Sequence, residues 1–244
     1  MLPILHLGPL AIQTPGLIIL LGVGLGLSLA ERQAGRYEVN GSYLYNLTFA
    51  GLIAGVIGAR LAFVAHYPAV FIANPNSLFS LNLGLFEPIW GILIGLVISG
   101  LYGWRKRMPV RPTLDAFTSA LAIFAIAFHL AQFSSGDSYG SPSNLPWAIE
   151  LWGTRRHPVQ LYETLAAVFI LFLVWPRSTW LRISGQHFLT FIAMSTGARL
   201  FLEAFRGDSV LWGGIRSAQV IAWLVLAVCS WILGKYQVKP TSIP

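Results

Sequence analysis

The sequence predicts an all-α, polytopic transmembrane bundle of about seven helices, with the N-terminus outside and the C-terminus in the cytoplasm. Three observations predict it: an apolar composition, a succession of membrane-length apolar runs, and an alternating bias in where Lys and Arg fall. Hydrophobic residues make up 55% of the 244, charged residues only 10%, and the mean hydropathy is +0.66. A soluble domain carries about 25% charge, so this chain has too few charges to solvate the surface of a globule its size. A bilayer is the solvent that accepts it.

A span needs roughly 17–25 apolar residues. Such runs fall at about 12–30, 43–66, 86–103, 114–133, 159–175, 187–205 and 216–235. The fifth is the shortest, and Tyr162 and Trp175 at its flanks suit the interface, where aromatic rings collect. No internal repeat is visible, which disfavours an inverted-repeat transporter, and residues 1–244 read as one transmembrane domain. Met1–Pro9 carries no positive charge, so no cleavable signal peptide is expected there.

Orientation follows from the basic residues. One alternate set of gaps, with the C-terminal tail, holds ten: Arg32, Arg36, Arg105, Lys106, Arg107, Arg111, Arg177, Arg182, Lys235 and Lys239. The opposite set holds four, Arg155, Arg156, Arg206 and Arg216, and the gap at 67–85 holds none. The positive-inside rule therefore puts the N-terminus out and the C-terminus in. The net charge of +7 is dispersed between apolar runs, without the basic stripe or motif of a nucleic-acid binder. The single cysteine, Cys229, lies in an apolar run and reads as a small buried residue. It offers neither a disulfide nor a Cys-based metal site, and no metal or cofactor is expected.

Two arginines lie within spans: Arg60 in the second and Arg199 in the sixth. A charge inside a membrane helix is expensive and faces the bundle interior or a polar cavity. Glu203 follows Arg199 by four residues and shares its helix face. One reading makes Glu203 the structural counter-ion of Arg199 or Arg60. The other is an anion pocket at outer-leaflet depth, with arginine forks facing a lipid phosphate.

Four blocks then carry a resemblance. Arg156-His157-Pro158-Val159-Gln160-Leu161-Tyr162-Glu163 resembles the RHPxQLYE motif of bacterial prolipoprotein diacylglyceryl transferases. The run from Arg199 through Glu203 to Arg206 is similar to that family's R-x-x-x-E-x-x-R segment, and Gly58-Ala59-Arg60 to its GGR segment. Tyr139-Gly140 with Leu145-Pro146-Trp147-Ala148 resembles a YG…LPWA stretch of divergent members. Order and spacing agree from about residue 8 to residue 237. The resemblance implies a multi-pass protein of the bacterial cytoplasmic (inner) membrane with seven helices. It also implies transfer of diacylglycerol from phosphatidylglycerol to the lipobox cysteine of a prelipoprotein signal peptide, with release of glycerol phosphate and without a metal.

The resemblance also locates departures. Where the family has a His-Gly-Gly, this chain reads Phe86-Glu87-Pro88-Ile89-Trp90-Gly91, with Trp90 at the histidine and Glu87 close by as a substitute base or a solvated interfacial carboxylate. Where it has Gly-Arg-x-Gly, the chain reads Phe128-His129-Leu130-Ala131-Gln132, so His129 stands at the arginine. Neutral histidine grips phosphate less well than arginine; it can instead donate one hydrogen bond, act as the base, or cap a helix end. Ser195 and Pro15 stand at two family tyrosines. The resulting candidates are Arg199, His129 and Glu87 for catalysis. Arg60, Gln132, Gly140, Gln160, Tyr162, Glu163, Glu203 and Arg206 are candidates for lipid binding. Interhelical hydrogen bonding is the other role open to Gln160, Tyr162 and Glu163. Three functions stay open: an active, divergent transferase; an inactive relative serving as a lipid-binding accessory or scaffold among protein subunits of a membrane complex; and an unrelated channel or transporter.

Overall fold

The computed structural model describes residues 4–7, 10–79, 83–176, 181 and 183–237. Arg177, Arg182 and Lys239, counted above in the cytoplasmic set, and part of Met1–Pro9 lie outside the described residues. The apolar runs become α1 (Thr14–Ala34), α2 (Gly41–His66), α4 (Pro88–Arg105), α5 (Val110–Ser135), α6 (Val159–Leu173), α7 (Gln186–Leu202) and α8 (Ser217–Gln237). A six-residue helix, α3 (Pro68–Ala73), lies between α2 and α4. Six of these helices are long and apolar enough to cross a membrane, and α6 is a shorter apolar helix. The all-α bundle is borne out.

Local chemistry sets the helix ends. Pro15 and Pro88 occupy the first turns of α1 and α4, where a missing N–H costs nothing. The Asn40 side chain accepts from the Ser42 amide and caps α2. Gly136 takes up a left-handed conformation (φ 84°) that closes α5. Pro158 stands at the N-cap position of α6, just outside its first turn.

Small residues bring the helices together. In the antiparallel pair α2–α4, a Cβ added at Gly95 would lie 2.8 Å from the Gly51 carbonyl oxygen, and one at Gly91 2.8 Å from that of Gly55. Backbones this close gain dispersion contacts that lipid tails cannot replace. On α1, Gly22 abuts Ala127 and Gly26 abuts Ala120, so α1 lies equally close to α5. Gly100, also on α4, has no neighbour within 4 Å of its would-be Cβ. Gly95→Leu is therefore expected to cost about 1–3 kcal/mol through overpacking. Gly100→Leu should leave the melting temperature in detergent unchanged, and equal melting of the two variants would refute the close pairing.

At the end carrying the 35–40 and 174–185 connections, Asp115 is 2% exposed and accepts from the Gly185 and Phe188 amides, capping α7. Beside it, Ser119 donates to Gln33 (2.8 Å) and ties α5 to α1.

The other end is less regular. Among the described residues, three two-stranded antiparallel hairpins, which the sequence reading did not anticipate, lie there: β1–β2 (Ile4–Leu7, Leu10–Gln13), β3–β4 (Ile149–Leu151, Thr154–Arg156) and β5–β6 (Leu211–Trp212, Ile215–Arg216). With 15 residues, α6 rises about 22 Å, less than the ~30 Å hydrocarbon core. The irregular backbone that precedes it must be satisfied within the protein. It is: the Ser141 amide donates to the Phe205 carbonyl (2.8 Å), and that of Gly207 to the Tyr139 carbonyl (3.0 Å).

Candidate active site

The candidate residues divide into three groups. The first is an ionised network joining α5, α6 and the end of α7. Glu163 is 4% exposed, and its Oε1 accepts from Arg199 Nη1 (3.0 Å) and Arg206 Nη1 (3.2 Å). Glu203 is also buried, with Oε2 2.9 Å from Arg199 Nη2. Of the two counter-ion readings for Glu203, Arg199 is the partner realised. Arg206 completes its shell with a bidentate pair to Asp208 (3.0 and 2.7 Å). His129 Nδ1 lies 3.1 Å from Glu163 Oε2 and 3.4 Å from Gln132 Oε1. Oε2 has no well-aligned hydrogen bond, so the His129 contact is a close but poorly aligned approach.

Burying a carboxylate is tolerable only when it is paired and hydrogen-bonded, and Glu163 meets that condition twice over. The two arginines differ in what they have left to offer. Arg206 is 7% exposed and engaged on both sides. Arg199 is 37% exposed and spends one N–H on each glutamate, so others of its five donors remain for a ligand. It lines a cleft of about 80 Å³ between α5, α6 and α7, with His129, Glu163 and Ser195 beside it and Ala166 and Ile170 on its apolar wall.

The second group frames the network. Gln160 is fully buried and donates to the Asp137 carbonyl (2.7 Å). The Tyr162 hydroxyl accepts from Trp147 Nε1 (2.7 Å), and its ring packs edge-on to Phe205. For these two, interhelical and loop bonding is the role the geometry displays. Gly140 sits where two segments cross: a Cβ there would lie 2.2 Å from the His157 carbonyl oxygen, so glycine is needed for close approach.

The third group is separate. Arg60 donates to the Leu85 and Ser77 carbonyls, with Phe71 and Phe86 against its guanidinium. It holds Ser77 and Leu85, which lie between α2 and α4 in the chain, beside α2. Glu87 lies 3.8 Å from His66 Nδ1. Among the described residues, Arg60, a candidate for lipid binding, contacts the Leu85 and Ser77 carbonyls, and Glu87, a candidate base, contacts His66; neither is placed in the Arg199 network.

Two contributors went unread in the sequence. Arg216 on β6 donates to the Glu203 and Arg206 carbonyls and to Ser209 Oγ (3.1 Å). It had been counted only as a topological charge. Asp208, two residues beyond Arg206, carried no signal except that spacing.

Fold and site together define a multi-pass helical membrane protein in which Arg199, Glu163 and His129 line a small cleft between α5, α6 and α7, with Glu203 and Arg206 paired beside them. The description of the prolipoprotein diacylglyceryl transferase family matches residues 3–234. The chain belongs to the prolipoprotein diacylglyceryl transferase family. Among its relatives is the phosphatidylglycerol–prolipoprotein diacylglyceryl transferase of Bordetella parapertussis, 32% identical over 88% of this chain and 85% of that protein. Those of Clostridioides difficile (26%, over 85% and 84%) and a Nostoc species (27%, over 99% and 92%) are similar along most of their lengths. The chain is accordingly a multi-pass protein of the bacterial cytoplasmic membrane.

Proposed function

We propose that the chain moves the diacylglyceryl group of phosphatidylglycerol onto the cysteine thiol of a prelipoprotein, with its N-terminus and its site on the outer side of the membrane. Membership in the family, the names of its relatives and the ten-to-four distribution of basic residues support this reading. The observation that carries it is Arg199: an arginine in a membrane helix, oriented by Glu163 and Glu203, with donors left over in a cleft.

The chemistry suits those residues. A thiolate sulfur attacks the glycerol carbon that bears the phosphate, the carbon–oxygen bond breaks, and the electron pair leaves on what becomes glycerol phosphate. Arg199 holds the phosphodiester and offsets the charge gathering on the departing oxygen. Preorganised donors of this kind are worth about 10²–10³-fold each where an oxyanion develops in acyl-transfer sites. The two glutamates keep the guanidinium in place so that it need not reorganise during the reaction.

Purified protein in phosphatidylglycerol vesicles, given a lipobox-containing peptide, is expected to release one glycerol phosphate for each peptide lipidated. No release above that from empty vesicles would overturn the proposal.

A further inference from the structure

We propose that His129 is the general base of this site, oriented by Glu163, and that its Nε2 takes the proton from the incoming thiol. The assignment rests on the transferase reading and names the group that reading lacks.

The tautomer follows from the neighbours. Both atoms near His129 Nδ1, Glu163 Oε2 at 3.1 Å and Gln132 Oε1 at 3.4 Å, are acceptors. Glu163 stays ionised because its other oxygen takes two arginine donors. Oε2 is buried with no well-aligned donor, and a buried carboxylate oxygen wants one. The Nδ1 proton is the nearest available, and catalytic hydrogen bonds that are poorly aligned without substrate tighten when it binds. With the proton on Nδ1, the lone pair is on Nε2. The ring is 21% exposed and lines the cleft that holds Arg199. Charge balance agrees: Arg199, Arg206 and Arg216 stand against Glu163, Glu203 and Asp208, so neutrality does not require a cationic imidazole.

Among the described side chains, the rivals that follow are placed elsewhere or already engaged. Glu203 is 1% exposed beneath Arg199, and Asp208 is clamped to Arg206. Glu87 and His66 pair with each other beside α2 and α4. His157 packs against Tyr162 and Phe205, and His187 lies buried at the opposite end against Tyr37.

In the step itself, the S–H proton passes to Nε2 as sulfur forms its bond to the glycerol carbon. The carbon–oxygen electron pair leaves with the phosphate, and the imidazolium, stabilised by Glu163, then returns the proton to the leaving phosphate.

The test compares His129→Gln, His129→Arg and His66→Ala in phosphatidylglycerol vesicles with a lipobox peptide. Arginine can bind phosphate but cannot accept a proton, which separates a base from a mere cation. Both His129 variants are expected to lose about 10²–10⁴-fold in kcat, with KM for the lipid little changed, their melting temperatures unaltered and His66→Ala active. In a further variant, His129→Ala, added imidazole should restore part of the turnover, which it would not do for a misfolded protein. Full turnover by His129→Gln, turnover retained by His129→Arg, or loss on His66→Ala alone would overturn the assignment. No turnover by the unsubstituted chain would instead sink the transferase reading, and the base with it.

Discussion

Arg199→Ala is expected to abolish transfer, with kcat/KM falling about 10³-fold or more, while the protein stays folded. Two effects add. The substitution removes a forked, charge-assisted grip on the phosphodiester, and it removes the donors facing the departing oxygen, each worth about 10²–10³-fold in comparable sites. Stability responds far less, because neither partner is abandoned. Glu163 keeps Arg206 at 3.2 Å and His129 at 3.1 Å, and Glu203 keeps Arg206 at 3.8 Å. Arg199 is itself 37% exposed, so water can enter where it stood. Arg199→Lys should recover only part of the rate, since an ammonium cannot span two oxygens. Glycerol phosphate release measures this directly. Complementation of a strain lacking its own transferase measures it in the cell, where the parent chain should rescue and Arg199→Ala should not. An Arg199→Ala protein working at the parent rate would remove the central residue from the proposal.

Seven helices were legible because span length and hydrophobicity are one-dimensional properties. The shortest run, at 159–175, became the shortest of the seven, Val159–Leu173. The Arg199–Glu203 pair was legible too, since residues four apart on a helix must face the same way, and it forms at 2.9 Å. Pairs between helices were not. Glu163 meets Arg199 and Arg206 across 36 and 43 residues, and nothing in the spacing encodes how α6 crosses α7. The partners of Arg60 were hidden for a related reason. An intramembrane arginine announces that it needs partners, but backbone carbonyls such as those of Leu85 and Ser77 leave no trace in a sequence. The β5–β6 hairpin did leave one. Gly213 and Gly214 both adopt positive φ (56° and 86°), and a Gly-Gly pair between short strands is the usual mark of a two-residue turn. The surrounding hydrophobicity masked it. The glycines facing across α2 and α4 were visible at four-residue intervals, yet an interval alone does not name the helix on the other side.

Glu163 is the residue whose loss should weaken the fold most. Removing one partner from a buried ion pair costs about 3–5 kcal/mol, because the remaining charge stays buried without compensation. Here one carboxylate serves Arg199, Arg206 and the His129 ring from a position only 4% exposed. Arg206 bears most of the cost. At 7% exposure it cannot turn to water, and Asp208 already occupies its other edge. Glu163→Gln keeps the volume and should still lose much of that stability, which marks the effect as charge rather than cavity. A double-mutant cycle separates the pair from its surroundings. Glu163→Leu and Arg206→Leu should each lower the melting temperature in detergent, and the double variant should melt above the value their sum predicts, with a coupling of about 0.5–3 kcal/mol. Additive losses would mean that the two side chains are neighbours without being partners. A coupling of the expected size would tie the stability of this end of the bundle to the same carboxylate that orients Arg199 and His129. The site then could not lose its charge balance without loosening the helices that form it.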